Sequence, residues 1–219
     1  PRLDPARPSD ATRWAFHDNR EILGIPPKQI SPSPEQIAEM RHGYFANISY
    51  MDAQVGKVIA ALKEHGLLDN TVIVFWGDHG YHLGEMGKWA KHGSLFEVGT
   101  RVPLLVCAPG AKSNGQVATV PVQTLDIYPT LCELCGLSLP SGLQGHSLKP
   151  LLEDTKTKWE HPAYTVAGGL KNLGLAVRTE KYRYAEWADG ANGAMLFDVA
   201  SDPHEQKNLA DDPKFAEIR

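Results

Sequence analysis

The stretch TVIVFWGDHG, residues 71–80, decides how this chain is read. From Thr71 to Trp76 every residue is β-branched or aromatic. Apolar character that is continuous rather than alternating marks a strand covered on both faces. Gly77 and Gly80 then stop the strand abruptly, with Asp78 and His79 between them. A second run of this kind, VPLLVCA at 102–108, is closed by Pro109 and Gly110.

The segment before the first strand has a helical pattern. Ser33 suits an N-cap, Pro34 the first helical position, and Gln36 completes a capping box. Ile37, Met40, Tyr44, Ile48, Met51, Val55, Val58 and Leu62 recur at spacings of three and four, which predicts one buried face. Gly66 follows as a C-terminal stop. Helix and buried strand in succession predict an α/β layered fold. A further helix is expected over residues 126–135, stopped by Gly136, with Pro129 in its first turn. Near residue 160 the pattern changes. Ala163–Val166, Leu173–Arg178, Tyr182–Trp187 and Met195–Val199 read as short strands, with a hairpin connection at residues 179–181. The expected division is a Pro-rich surface linker at 1–34, an α/β core at 35–158 and a small antiparallel sheet at 159–219.

Composition narrows the function. Of the 219 residues, 42% are hydrophobic and 22% charged, with a formal net charge of −4. No basic stripe of the sort a nucleic-acid binder needs is present. No segment approaches the roughly 20 apolar residues that span a bilayer. The chain opens PRLDPARPSD without Met or an apolar leader, which reads as a fragment, a processed chain or one chain of a nicked protein. The three cysteines are an odd number, in a chain too long for a disulfide scaffold. Cys132 and Cys135 form a C-x-x-C without a second pair at zinc-site spacing, so a short helix under a Leu-rich face is the plainer reading.

The chemistry concentrates after the first strand. Ligands of open α/β sheets bind beyond the carboxyl ends of strands. A Gly-flanked turn lets the neighbouring side chains of Asp78 and His79 reach one ion, and a carboxylate beside an imidazole suits a divalent cation. The alternative is a solvated turn in which Asp78 caps the backbone. Two ligands are an incomplete set, so others must come from elsewhere. The loop YHLGEMGKWAKHGS at 81–94 is dense in glycine, basic and aromatic residues. His82, Lys88, Lys91 and His92 could line an anion pocket over the metal; a solvated surface loop is the bland alternative. Glu97 and Arg101, around the second strand, read as an exposed ion pair.

These motifs, in this order, resemble the sulfatase family of the alkaline-phosphatase-like superfamily. The likeness rests on residues 71–80, Leu83-Gly84-Glu85, Lys91 and TRVPLLV at 100–106. YFANISYMD at 44–52, TLDIYPT at 124–130 and LFD at 196–198, with Asp202-Pro203 and Asn208-Leu209, extend it. Asp78-His79 and KWAK at 88–91 are most similar to the iduronate-2-sulfatase branch. The resemblance implies an alkaline-phosphatase-like layered α/β sheet followed by a small antiparallel C-terminal sheet. It implies that Asp78 and His79 are two ligands of a divalent cation, usually calcium, with magnesium possible. It implies that Lys91 contacts the substrate sulfate, as catalytic and substrate-binding residue, and that Tyr81 faces the substrate; His92 lies in the same loop. The implied substrate is a sulfated sugar such as a glycosaminoglycan, and the compartment periplasmic, secreted or lysosomal.

The departure from the family is equally defined. Sulfatases use a formylglycine made from Cys-x-Pro-Ser-Arg or a close variant. Cys107-Ala108-Pro109 continues with Gly110 and Ala111 instead, and neither Cys132 nor Cys135 fits. The family's early Asp-Asp metal pair is absent too. The nucleophile, half the metal shell and part of the sulfate pocket are therefore expected in an N-terminal segment, and this chain alone is expected to be inactive. A phosphodiesterase or phosphatase of the same superfamily, or a non-catalytic module, are the alternative readings.

Overall fold

The computed structural model describes residues 7–16, 32–91, 93–168 and 173–218. Helix α1 runs Pro34–Glu64. Its start is the capping box anticipated above: Gln36 N donates to Ser33 Oγ at 3.3 Å, and Ser33 N donates to Gln36 Oε1 at 2.8 Å. Its end is a left-handed Gly66 with Leu67 N donating back to Leu62 O at 2.8 Å. At 1.5 Å per residue the helix is about 46 Å long.

The face of α1 expected to be buried is not. None of its residues is buried. Tyr44, Phe45, Ile48, Met51 and Val58 all stand exposed, Val58 at 61%. Periodicity records which face wants cover. The described residues supply only a small part of it: the Arg41 guanidinium donates to Leu83 O at 2.9 and 2.7 Å, and the Tyr44 ring lies 5.6 Å from Tyr81.

Strand β1 (Ile73–Trp76) pairs antiparallel with β2 (Leu104–Cys107), Trp76 opposite Leu104. The expectation that the first run is covered on both faces also fails within the described residues. Ile73, Val74 and Phe75 are half-buried and Trp76 is 47% exposed. Between the strands sits a single helical turn, α2 (Glu97–Thr100). After β2 come α3 (Ile127–Leu134), with Pro129 in its first turn, and α4 (Lys149–Glu153). Buried Asp126 ties them together by accepting from Gln123 N (3.0 Å) and His146 N (2.8 Å). Cys132 is buried within α3 and Cys135 caps it, both as free thiols.

The C-terminal strands form one antiparallel sheet in sequence order: β3 (Ala163–Ala167), β4 (Gly174–Arg178), β5 (Tyr182–Trp187) and β6 (Ala194–Asp198). They match the sequence reading to within one residue at every end. One face of the sheet carries Ala176, Ala185, Trp187, Met195 and Phe197, and Met86, Leu95 and Phe96 pack against it. Leu95, Phe96 and Phe197 are fully buried; each such side chain contributes about 1.5–3 kcal/mol. The loop that follows β1 thus rests on the C-terminal sheet. Residues 7–16 strap across both, with Ala15 buried, Thr12 Oγ1 donating to Asn192 O at 2.7 Å and Phe16 5.5 Å from Phe96.

Candidate functional site

Asp78 and His79 leave the end of β1 through Gly77, whose N–H still donates to Pro103 O at 3.1 Å. Gly80 then turns the chain against α2. Its N–H donates to Gly99 O at 2.9 Å, and a Cβ on it would stand 2.0 Å from Val98 O. Only glycine permits that approach. The turn brings the two candidate ligands together on an exposed surface. Asp78 Oδ2 lies 3.4 Å from His79 Nε2, with Asp78 84% exposed.

The hydrogen bonds around this pair define its chemistry. His79 Nδ1 lies 3.0 Å from the Gly80 carbonyl, which can only accept, so Nδ1 carries the proton. The Nε2 lone pair then faces the Asp78 carboxylate. A cation beside the pair would be shared by these two acceptors. Two neighbouring ligands of one cation at about 2.4 Å also stand about 3.4 Å apart. The donor set therefore fits two positions of a divalent-cation shell. Among the described residues no group of three His, Cys, Asp or Glu side chains completes it.

The loop from 81 to 96 divides its polar residues between inside and outside, which composition alone could not do. Backbone bonds from His82 N to Ala90 O (3.1 Å) and from Gly84 N to Lys88 O (2.9 Å) fold it into a knob. Met86 sits in the left-handed region at φ 56°. His82 is fully buried, with Nε2 2.7 Å from Ser94 Oγ and Nδ1 3.3 Å from Glu85 O. Burial, then the nearby Lys88 charge, pushes its pKa down to about 4, so it is neutral. Lys88 is also turned inward, 2% exposed, donating from Nζ to Ala15 O at 3.3 Å. Burial, then Arg7, lowers it to about 8. His82 and Lys88 therefore do not line an outward anion pocket: both hold the knob and its strap together. Lys91 is exposed on the outer side of the knob. Tyr81 is half-buried beside Tyr44. His92 lies outside the described residues.

Glu97 is no exposed surface pair. It is 19% exposed and meets Arg101 at 3.6 Å, Arg178 at 3.4 Å and, through a short contact, Arg183. Burial alone would raise its pKa, but Arg183, Arg178 and Arg101 together hold it below the usual carboxylate range. Arg183 Nε also lies 2.7 Å from Glu205 Oε1, with side-chain exposures of only 3% and 1%. Burial, outweighing Arg183, pushes Glu205 up to about 7. Sequence reading missed this buried cluster. One signal was present: in YRYAEW at 182–187, Arg183 shares the inward parity of Ala185 and Trp187.

A family described as "Sulfatase" matches residues 5–137, and one described as "N-sulphoglucosamine sulphohydrolase, C-terminal" matches residues 84–219. Arylsulfatase K of Bos taurus is 34% identical over 194 residues, covering 84% of this chain and 35% of that protein. A solved 2-O GAG sulfatase superposes with a TM-score of 0.78 at 28% identity, across 100% of this chain and 50% of its own. The phosphonate monoester hydrolase of Agrobacterium radiobacter gives 0.74 at 28% identity, across 85% and 40%. The chain spans about a third of the length of the curated relatives it matches. The mixed α/β fold expected from sequence is the fold of these solved structures.

Proposed function

Because this chain belongs to the sulfatase family, we propose that it forms the C-terminal part of a metal-dependent sulfatase acting on a sulfated sugar, of the iduronate-2-sulfatase type. The observation that carries this reading is the Asp78–His79 pair at the end of β1, 3.4 Å apart, with the His79 tautomer set by Gly80 O. Asp78 and Nε2 of His79 would hold the cation, calcium or magnesium. When bound, that cation supplies positive charge to the oxygens of the transferring sulfuryl group. Lys91, exposed on the neighbouring loop, adds a cationic donor for the sulfate. Tyr81 in the same loop contacts the sugar, a role this reading gives to His92 from its sequence position alone.

The nucleophile and the remaining ligands come from sequence preceding this chain. The uncovered face of α1 and the exposed Trp76 and Leu105 of β1 and β2 support this: they are the surfaces such a segment would cover. The likeness to the 2-O GAG sulfatase supports a glycosaminoglycan substrate. The likeness to the phosphonate monoester hydrolase supports one second reading, phosphoryl rather than sulfuryl transfer at the same centre.

The test is hydrolysis of an aryl sulfate with calcium, by residues 1–219 alone and by the full polypeptide containing them. Activity confined to the full polypeptide and lost in Asp78→Ala is the expected result. Activity of residues 1–219 alone would sink the split-site reading. Mass spectrometry of the nucleophile separates formylglycine from an unmodified Ser or Thr, and so the two chemistries.

A further inference from the structure

Glu205 and Arg183 have no place in the chemistry proposed above, yet both are buried charged groups and both reach the segment that supports the metal turn. Glu205 Oε2 accepts the backbone N–H of Glu97, the first residue of α2, at 2.7 Å. Its other oxygen lies 2.7 Å from Arg183 Nε. Arg183 in turn donates from Nη1 to Leu95 O at 3.3 Å and from Nη2 to the Glu97 carboxylate. A carboxylate on the loop after β6 and a guanidinium on β5 thus grip α2 by backbone and side chain at once. Glu205 does so from φ 53°, a conformation that a non-glycine residue keeps only when its surroundings enforce it.

Downstream, α2 holds the metal turn. Gly99 O accepts from Gly80 N at 2.9 Å, and Val98 is packed against Gly80 with no room for a Cβ. The carbonyl of that same Gly80 accepts from His79 Nδ1. The path from Glu205 to Nε2 of His79 therefore runs through one helical turn and one peptide unit.

We propose that Glu205 and Arg183 are positioning residues for the cation site: by fixing α2 they fix Gly80, and through Gly80 the direction in which His79 and Asp78 present their ligand atoms. This rests on the metal reading of Asp78 and His79. Groups that orient ligands of a metal typically change its affinity about 10–100-fold when removed. Glu205 acts one step further back, so the lower end applies.

The test is Ca²⁺ affinity by calorimetry, with thermal unfolding in parallel, on the full polypeptide and its variants. Glu205→Ala removes both the acceptor for Glu97 N and the partner of Arg183, and Ca²⁺ should bind about tenfold more weakly. Glu205→Gln keeps a neutral acceptor at the same reach. Burial outweighs the Arg183 pairing at Glu205, so this variant should melt no lower than the parent at pH 7 and hold Ca²⁺ within about threefold of it. If the alanine variant does not fold, Glu205→Asp replaces it: charge is kept but reach is lost, and affinity should again fall. Unchanged affinity in folded Glu205→Ala or Glu205→Asp, with only the melting temperature lowered, would overturn the proposal and leave the metal reading standing. Unchanged affinity in Asp78→Ala would overturn both.

Discussion

Replacing Gly80 with alanine puts a methyl group where the structure has none to spare. The new Cβ would stand 2.0 Å from Val98 O and 3.0 Å from Val98 C. An ordinary carbon–oxygen contact is more than an ångström longer, so Gly80 and α2 must separate by about that much. Overpacking of this kind costs about 1–3 kcal/mol. The separation also stretches the bond from Gly80 N to Gly99 O, now 2.9 Å, whose loss adds about 0.5–1.5 kcal/mol. The total is about 2–4 kcal/mol. In a domain of about 150–250 residues each kcal/mol lowers the melting temperature by roughly 2–4 °C, so a drop of about 5–15 °C is expected. Thermal unfolding followed by circular dichroism measures it, with Ca²⁺ titration of the same sample at 25 °C. The two readouts should move together, because one displacement both loosens the packing and turns the His79 acceptor away. A melting temperature within about 2 °C of the parent, with unaltered Ca²⁺ binding, would refute the claim that α2 clamps this turn.

Three further outcomes follow from the knob and the sheet beneath it. His82 has a folded pKa lowered to about 4 from an ordinary 6.5, so the folded state binds fewer protons than the unfolded one and stability falls as pH drops from about 6.5 to 4. At about 1.36 kcal/mol per pH unit the loss is on the order of 3 kcal/mol, and a His82→Gln variant should show a visibly flatter acid limb in urea unfolding between those pH values. Lys88, lowered to about 8, is charged at neutral pH at a desolvation cost, so Lys88→Met should melt no lower than the parent at pH 7 and lose the parent's gain in stability between about pH 8 and 10. Phe96→Ala empties a fully buried position against the C-terminal sheet and should cost about 3–5 kcal/mol in chemical denaturation.

Local structure was legible in the sequence wherever one short rule governs it. The capping box at Ser33 and Gln36, the stop at Gly66 and the strand from Tyr182 to Trp187 depend on residues a few positions apart. Asp78 and His79 were legible as partners for the same reason. What lay hidden was set by distant sequence. Nothing near Lys88 says that its amine is closed in beneath Ala15, because Ala15 is 73 residues away. Glu97 read as half of a surface pair with Arg101, since that i,i+4 partner is all its neighbourhood displays; Arg183 and Glu205 reach it from 86 and 108 residues downstream. The bare face of α1 is the converse case. Its pattern states correctly that the face is apolar, but cover is a property of the partner, and periodicity carries no record of where the partner lies.

The seating of Leu95 and Phe96 on the C-terminal sheet also sets an order in time. A ribosome delivers residues 71–80 well before Met195 and Phe197, and Glu205 follows Glu97 by 108 positions. At roughly 5–20 residues per second, the Asp78–His79 turn waits on the order of 5–20 s for the floor that holds it. During that interval the knob has Leu95 and Phe96 and nowhere to put them. Completion of the site is thus tied to the last part of this chain to be synthesised, and a ribosome that stalls between Arg101 and Arg183 leaves those side chains exposed to any chaperone that binds apolar segments.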